Sequence, residues 1–229
     1  MFRSRHRDRI LPQLEHSLFS GLLAMHWGNA HFDRPALDFE AFARGVALHD
    51  WHYGPLDNHP LGAYGDAEWH ALTERGVATR HDDPVTDAVA KRHLRRLIGT
   101  PETPAVQALV NRLKEAIADR RGETPFSDAD FERADHITRF CDTVAFDLGF
   151  ENREPRRVRV PAHRDARNET EISYEIAADG VIRFAPWPFD RPDFGMPLTA
   201  YQASGYPDRL KPVVTFVQCV PGEPPAVSA

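Results

Sequence analysis

The segment EISYEIAADGVIRF, residues 171–184, sets the reading of the fold. Ile172, Tyr174 and Ile176 alternate with Glu171, Ser173 and Glu175, the period-two pattern of a strand with one face on a core. Asp179-Gly180 then supplies the turn chemistry of a hairpin before Val181 to Phe184. Further on, PVVTFVQCV from Pro212 is apolar on both faces and reads as a covered strand. Upstream of Gly149 the apolar spacing is helical instead. The expectation is a mainly α protein: a helical domain over residues 1–150, a small β-strand-rich appendage over 151–222, and a disordered Pro-rich tail over 223–229.

The chain has 229 residues, with 34 Asp and Glu against 28 Lys and Arg, a formal net charge of -6. That balance gives no general drive toward nucleic acid or an anionic membrane surface. Its two cysteines, Cys141 and Cys219, form neither a disulfide framework nor a CxxC pair, so a reducing cytoplasm is the expected home. No apolar h-region follows the basic start MFRSRHRDR, and no apolar run has the length of a membrane-spanning helix. Twelve histidines exceed ordinary usage.

Start signals place the helices. Leu11, Leu14, Leu18, Leu22 and Met25 make an apolar stripe for a first helix ending near Trp27-Gly28. Asp38 caps a second that runs to Gly54-Pro55, and the polar stretch 54–82 reads as a long loop. Asp83-Pro84 opens a third helix through Ile98, and Thr100-Pro101 or Thr103-Pro104 a fourth closed by Gly122. Ser127 with Asp130, flanked by Phe126 and Phe131, is a capping box with a hydrophobic staple for a fifth.

Polar residues embedded in these apolar faces are the candidate chemistry. In FEAFARGVALHDWHYGP, residues 39–55, Asp50 falls on the helical face of Phe39, Phe42, Val46 and Tyr53, with His49 on its edge. A carboxylate facing a core needs a cation. His16 shares a row with Ser20, Leu23 and Trp27; His93 is the one polar member of the row Val85, Val89, His93, Leu97; Asp142 interrupts ITRFCDTVAFDLGF. Imidazoles and carboxylates brought together from several helices suit Mn, Fe, Co, Ni or Zn. Each residue taken alone also fits a hydrogen-bonded core position. His52 and His59, just after the doublet, are candidates to support the ligands or touch substrate, and the basic Lys91, Arg92, Arg95 and Arg96 mostly face solvent on helical spacing.

An early His, a His-Asp doublet and a late Asp is the order of the HD-domain metal-dependent hydrolases, which this chain resembles. More closely, QLEHSLFSGLLAMHWG, ALHDW, DPVTDAVAKRH and FCDTVAFDLG resemble the uncharacterised bacterial family catalogued as domain of unknown function 3891, itself similar to HD domains. The resemblance spans most of residues 10–150. It implies an HD-like helical bundle with His16, His49, Asp50 and Asp142 as metal ligands. It further implies a hydrolase, foremost a phosphohydrolase of a small anionic phosphoester, in which Asp50 anchors a metal-activated water and His93 assists as acid or phosphate contact. An HD-like di-iron oxygenase and a non-catalytic metal-binding or sensory module are the alternatives. Trp51-His52-Tyr53 departs from the family's glycine and tryptophan after the doublet, and residues 151–229 lie outside the match.

Overall fold

A computed structural model describes residues 1–164 and 169–223. The elements in chain order are strands β1 (Phe2–Arg3) and β2 (Ile10–Leu11), then helices α1 (Gln13–His26) and α2 (Phe39–Ala47) and a 3-10 helix (Trp51–Asn58). Helices α3 (Asp66–Ala78), α4 (Pro84–Ile98), α5 (Pro104–Gly122) and α6 (Asp128–Phe150) follow. Strands β3 (Arg156–Pro161), β4 (Glu169–Ile176), β5 (Val181–Ala185), β6 (Phe194–Tyr201) and β7 (Pro212–Pro221) complete the chain. Apart from Glu223, the segment read as a disordered tail lies outside the described residues.

The expectation of a mainly helical bundle carrying a small C-terminal β appendage is corrected. The described residues form an α/β fold, six α-helices with one seven-stranded mixed sheet of order β1-β2-β6-β7-β5-β4-β3. All neighbours are antiparallel except β5 and β7, which run parallel with Ile182 opposite Cys219. Strands from both ends of the sequence build this sheet, Ile10 of β2 pairing with Tyr201 of β6. The sheet's apolar face and the helices share one core: Phe19, Leu23, Trp27, Phe140 and Val144 pack in the same cluster as Ile172, Tyr174, Phe184, Leu198 and Val217. One sheet face needs such cover. The 171–184 hairpin forms at Asp179-Gly180, where Gly180 takes a φ of 89° that a side chain would strain. Strand β7 is covered on one face only, with Val214 and Phe216 exposed.

Helix starts follow their caps. Asp38, Asp83 and Thr103 accept from the amides of Ala41, Thr86 and Val106, and Ser127 and Asp130 form the capping box. Three details differ from the sequence reading. In α1 the stripe Leu14, Leu18, Met25 faces solvent, while the row of His16, Ser20 and Leu23 is buried. Residues 66–78 are helical rather than loop. And α2 stops at Ala47 instead of continuing to Gly54.

The early stop has a local cause. The Val46 carbonyl, which a continuing helix would offer to the Asp50 amide, lies 2.6 Å from His49 Nδ1 and also accepts from the His49 amide at 3.3 Å. The doublet therefore sits in a turn.

Two glycines let the helices approach closely enough to bring their histidines together. A Cβ on Gly21 of α1 would stand 2.5 Å from Ala47 Cβ, and one on Gly45 of α2 would stand 2.7 Å from Val89 Cβ and 2.9 Å from the Thr86 carbonyl in α4.

Candidate metal centre

Side chains from four elements meet in two overlapping groups, His16 with His49 and Asp142, and His49 with Asp50 and His93. His16 comes from α1, His49 and Asp50 from the turn after α2, His93 from α4 and Asp142 from α6. The Nε2 atoms of His16 and His49 are 3.2 Å apart. Asp142 Oδ1 lies 3.2 Å from His16 Nε2 and 3.5 Å from His49 Nε2; Asp50 Oδ2 lies 3.7 Å and 3.4 Å from the same two atoms. Ligands about 2.1 Å from a common ion stand about 3.0 Å apart at right angles and about 3.4 Å apart at the tetrahedral angle. The five separations fall on or near that scale, and the donor set of two imidazoles and two carboxylates suits a first-row divalent ion. These buried His and Asp groups can hold a metal ion.

Supporting contacts orient the ligands. His49 Nδ1 directed at the Val46 carbonyl leaves Nε2 toward the cluster, the arrangement that fixes a metal-binding tautomer. His16 packs on the Phe2 ring at 4.6 Å between centroids. Asp50 Oδ2 accepts from the Gln13 side-chain amide, and Asp50 Oδ1 lies 3.0 Å from His93 Nε2. On the far side of that ring, Arg96 Nη2 is 2.9 Å from His93 Nδ1. A guanidinium only donates, so Nδ1 accepts and the His93 proton sits on Nε2, donated to Asp50. Arg96 is itself held by Asp135 and lies 3.8 Å from Asp142 Oδ2.

The electrostatics are those of a cation site. Burial disfavours charge on His49, but the carboxylates of Asp50 and Asp142 outweigh it and push its pKa up to about 10. Burial likewise opposes ionisation of Asp50 and Asp142, yet the facing imidazoles keep both well below the usual carboxylate range. Burial and the neighbouring His49 charge lower His93, which agrees with the neutral form that Arg96 selects. In this cluster a proton on His49 does electrostatically what a metal would do.

The cluster forms the floor of an open cavity of about 420 Å³, reached by His16, Asp50, His93 and Asp142 and walled by aromatic residues. His52 is buried two residues beyond Asp50, against Gly76, with Nε2 unpartnered and its pKa pushed down to about 4, chiefly by burial. His59 is exposed and does not line the cavity. Of the four basic residues on α4, Lys91 is buried on Asp87, Arg92 pairs with Asp128 and Arg95 reaches the Gly99 carbonyl, leaving Arg96 beside the cluster. Gln13, Phe2 and Arg156, which also meet the site, were not singled out by the sequence: Gln13 is the first residue of α1, Phe2 lies in a two-residue strand, and Arg156 opens a strand far along the chain.

No family model, no curated protein and no solved structure matches the chain. No helix among the described residues is long and apolar enough to cross a membrane.

Proposed function

We propose that the protein is a metal-dependent hydrolase of small phosphoesters. One observation carries this reading: His16 Nε2 and His49 Nε2, 3.2 Å apart, each have Asp50 Oδ2 and Asp142 Oδ1 at 3.2 to 3.7 Å, at the floor of a cavity open to substrate. Four protein ligands would close the sphere of a tetrahedral ion, whereas a six-coordinate ion such as Mn, Fe or Co would keep two positions for water and substrate, and the cavity gives access to them. When bound there, a divalent ion supplies Lewis acidity and lowers the pKa of a water. The chain's own residues set the rest. Asp50 is a ligand through Oδ2 and is locked in place by Gln13 and His93; Arg96 fixes the His93 tautomer. Neutral imidazole is a weak acid, so His93 contributes through the Nε2–H hydrogen bond, to Asp50 or to a phosphoryl oxygen beside it.

A second reading, a two-metal centre with oxygenase chemistry, draws on one observation: His49, Asp50 and His93 form another group with ligand atoms within 4.8 Å of one another. It requires His93 to present a bare Nε2, against the tautomer that Arg96 selects, and so ranks second.

Elemental analysis of purified protein, followed by phosphate release from a panel of phosphomonoesters with the retained metal, tests the proposal. One ion per chain, with turnover abolished by chelation and restored by that ion, is the expected result. Two irons with a visible absorption band indicate the oxygenase, and bound metal without turnover of any ester indicates a binding or sensory module.

A further inference from the structure

The wall of the cavity differs in chemistry from its floor. One aromatic group comes from the 3-10 helix and α3 region: Trp69 meets Tyr53 at 4.6 Å and Tyr64 at 5.5 Å between ring centroids, both edge-on. Another comes from β1 and α6, where Phe2 meets Phe146 at 5.6 Å and Phe150 at 5.4 Å. At the mouth, Trp69, Leu97 and Phe146 are 37, 53 and 43 % exposed, among the large apolar side chains that the surface leaves open to water. Concave apolar surface beside a few convergent polar groups is the usual make-up of a small-molecule site, and exposed apolar area at its rim marks what the site contacts.

Positive charge is scarce here. Among the described residues, the only lysine or arginine side chain lining the cavity is Arg156, and its guanidinium is already engaged by both oxygens of Asp147 at 2.8 and 3.0 Å. Asp147 in turn accepts from the Tyr174 hydroxyl and from Asn152, which fixes Arg156 at the rim. The floor adds two carboxylates. The Met1 ammonium, also at the cavity, is likewise taken up, donating to Gln13 Oε1 at 2.8 Å and lying 3.6 Å from Asp57. A substrate with several phosphates would bring more negative charge than these paired cations offset, whereas a single phosphoryl group would have a bound metal, His93 and one rim guanidinium to face.

We infer that the substrate is a phosphomonoester of an apolar alcohol that carries an aromatic ring, its phosphoryl group on the His/Asp floor and its organic body along the aromatic wall, rather than a nucleotide or another polyphosphate. The inference rests on the hydrolase reading for the reaction and on the wall alone for the choice of substrate. In the reaction water adds to phosphorus and the bond from phosphorus to the alcohol oxygen breaks. One proton of the water ends on the alcohol and the other stays with inorganic phosphate, so no co-reactant is needed.

Two pairs of probes with matched leaving groups test it. Metal-loaded protein is titrated calorimetrically with 2-phenylethylphosphonate and ethylphosphonate, and turnover is measured on 2-phenylethyl phosphate, ethyl phosphate and ATP. The phenylethyl member is expected to bind at least tenfold tighter and to show at least tenfold higher kcat/KM than the ethyl member, with ATP below both. Trp69→Ala and, as a second variant at an exposed position, Leu97→Ser should each narrow the phenylethyl advantage severalfold. Equal binding of the two phosphonates, or ATP as the best substrate, overturns the inference while leaving the hydrolase standing. A binding advantage that persists with no turnover of any ester supports the ligand class and overturns the hydrolase.

Discussion

Asp50→Asn separates the metal reading from a purely structural one. In the metal-free protein Asp50 accepts from Gln13 at Oδ2 and from His93 at Oδ1. Asparagine keeps the shape but offers one acceptor, so one of those two donors faces an NH₂ group, a buried unmet hydrogen bond of about 1 to 3 kcal/mol. For a chain of 229 residues, melting shifts by about 2 °C per kcal/mol, so the metal-free variant should melt about 2 to 6 °C below wild type. Metal then splits the two proteins further. At a free metal concentration a hundredfold above its Kd, wild type gains about 2.7 kcal/mol, hence about 6 °C. Asp50→Asn, short of one charged ligand, should gain little at the same concentration. Differential scanning calorimetry with chelator and with the retained ion measures both shifts. A variant that melts with wild type in chelator and keeps the whole metal increment refutes the placement of Asp50 in the centre.

Arg96→Leu should leave metal content unchanged, release the His93 tautomer as read by ¹⁵N NMR of the imidazole, and lower kcat about tenfold or more; an unchanged nitrogen spectrum would remove Arg96 from the site. Metal uptake at pH 7 should release about one proton, since His49 in the metal-free protein has its pKa raised from 6.5 to about 10 and carries a proton there. Calorimetry in buffers of different ionisation enthalpy counts that proton, and a count of zero would contradict the charge state. The same raised pKa gives the metal-free protein a stabilising contribution that is complete below pH 6.5 and is lost as pH rises through about 10. Gly45→Ala should destabilise by about 1 to 2 kcal/mol in urea titration, overpacking against Val89 and the Thr86 carbonyl outweighing the better helix propensity of alanine.

Much of the helical framework was legible because caps are local chemistry. Asp38, Asp83, Thr103 and Ser127 satisfy amides within three residues of themselves, so no tertiary knowledge was needed. The polar interruptions at His16, His49, Asp50, His93 and Asp142 were legible for the same reason: each breaks a short apolar pattern, and the fold gathers all five. Apart from the early end of α2, whose cause is local, most of what failed depends on distant partners. Leu14, Leu18 and Met25 look like a core stripe, yet the sheet and α6 cover the row of His16 and Leu23 instead. Strands β1 and β2 are two residues each, too short for a period to register, and it is they that extend the sheet to the chain's beginning. Helix α3 buries only Thr73, Gly76 and Val77, so its sequence lacks a strong apolar face. Arg96 read as one more surface cation because its ion-pair partner, Asp135, lies on another helix.

The joining of β2 to β6 imposes an order on synthesis. A ribosome has made every proposed ligand by residue 142, long before it reaches Tyr201, the residue that Ile10 pairs with. Phe2, whose ring packs on His16, belongs to the short hairpin that this pairing fastens to the sheet. The emerging polypeptide therefore passes through a period in which its imidazoles and carboxylates are present but its apolar wall is unfastened and its sheet incomplete. The proposed ligands are therefore complete in the chain before the sheet that fastens the Phe2 side of the cavity can close, since that waits on the last strands to leave the exit tunnel.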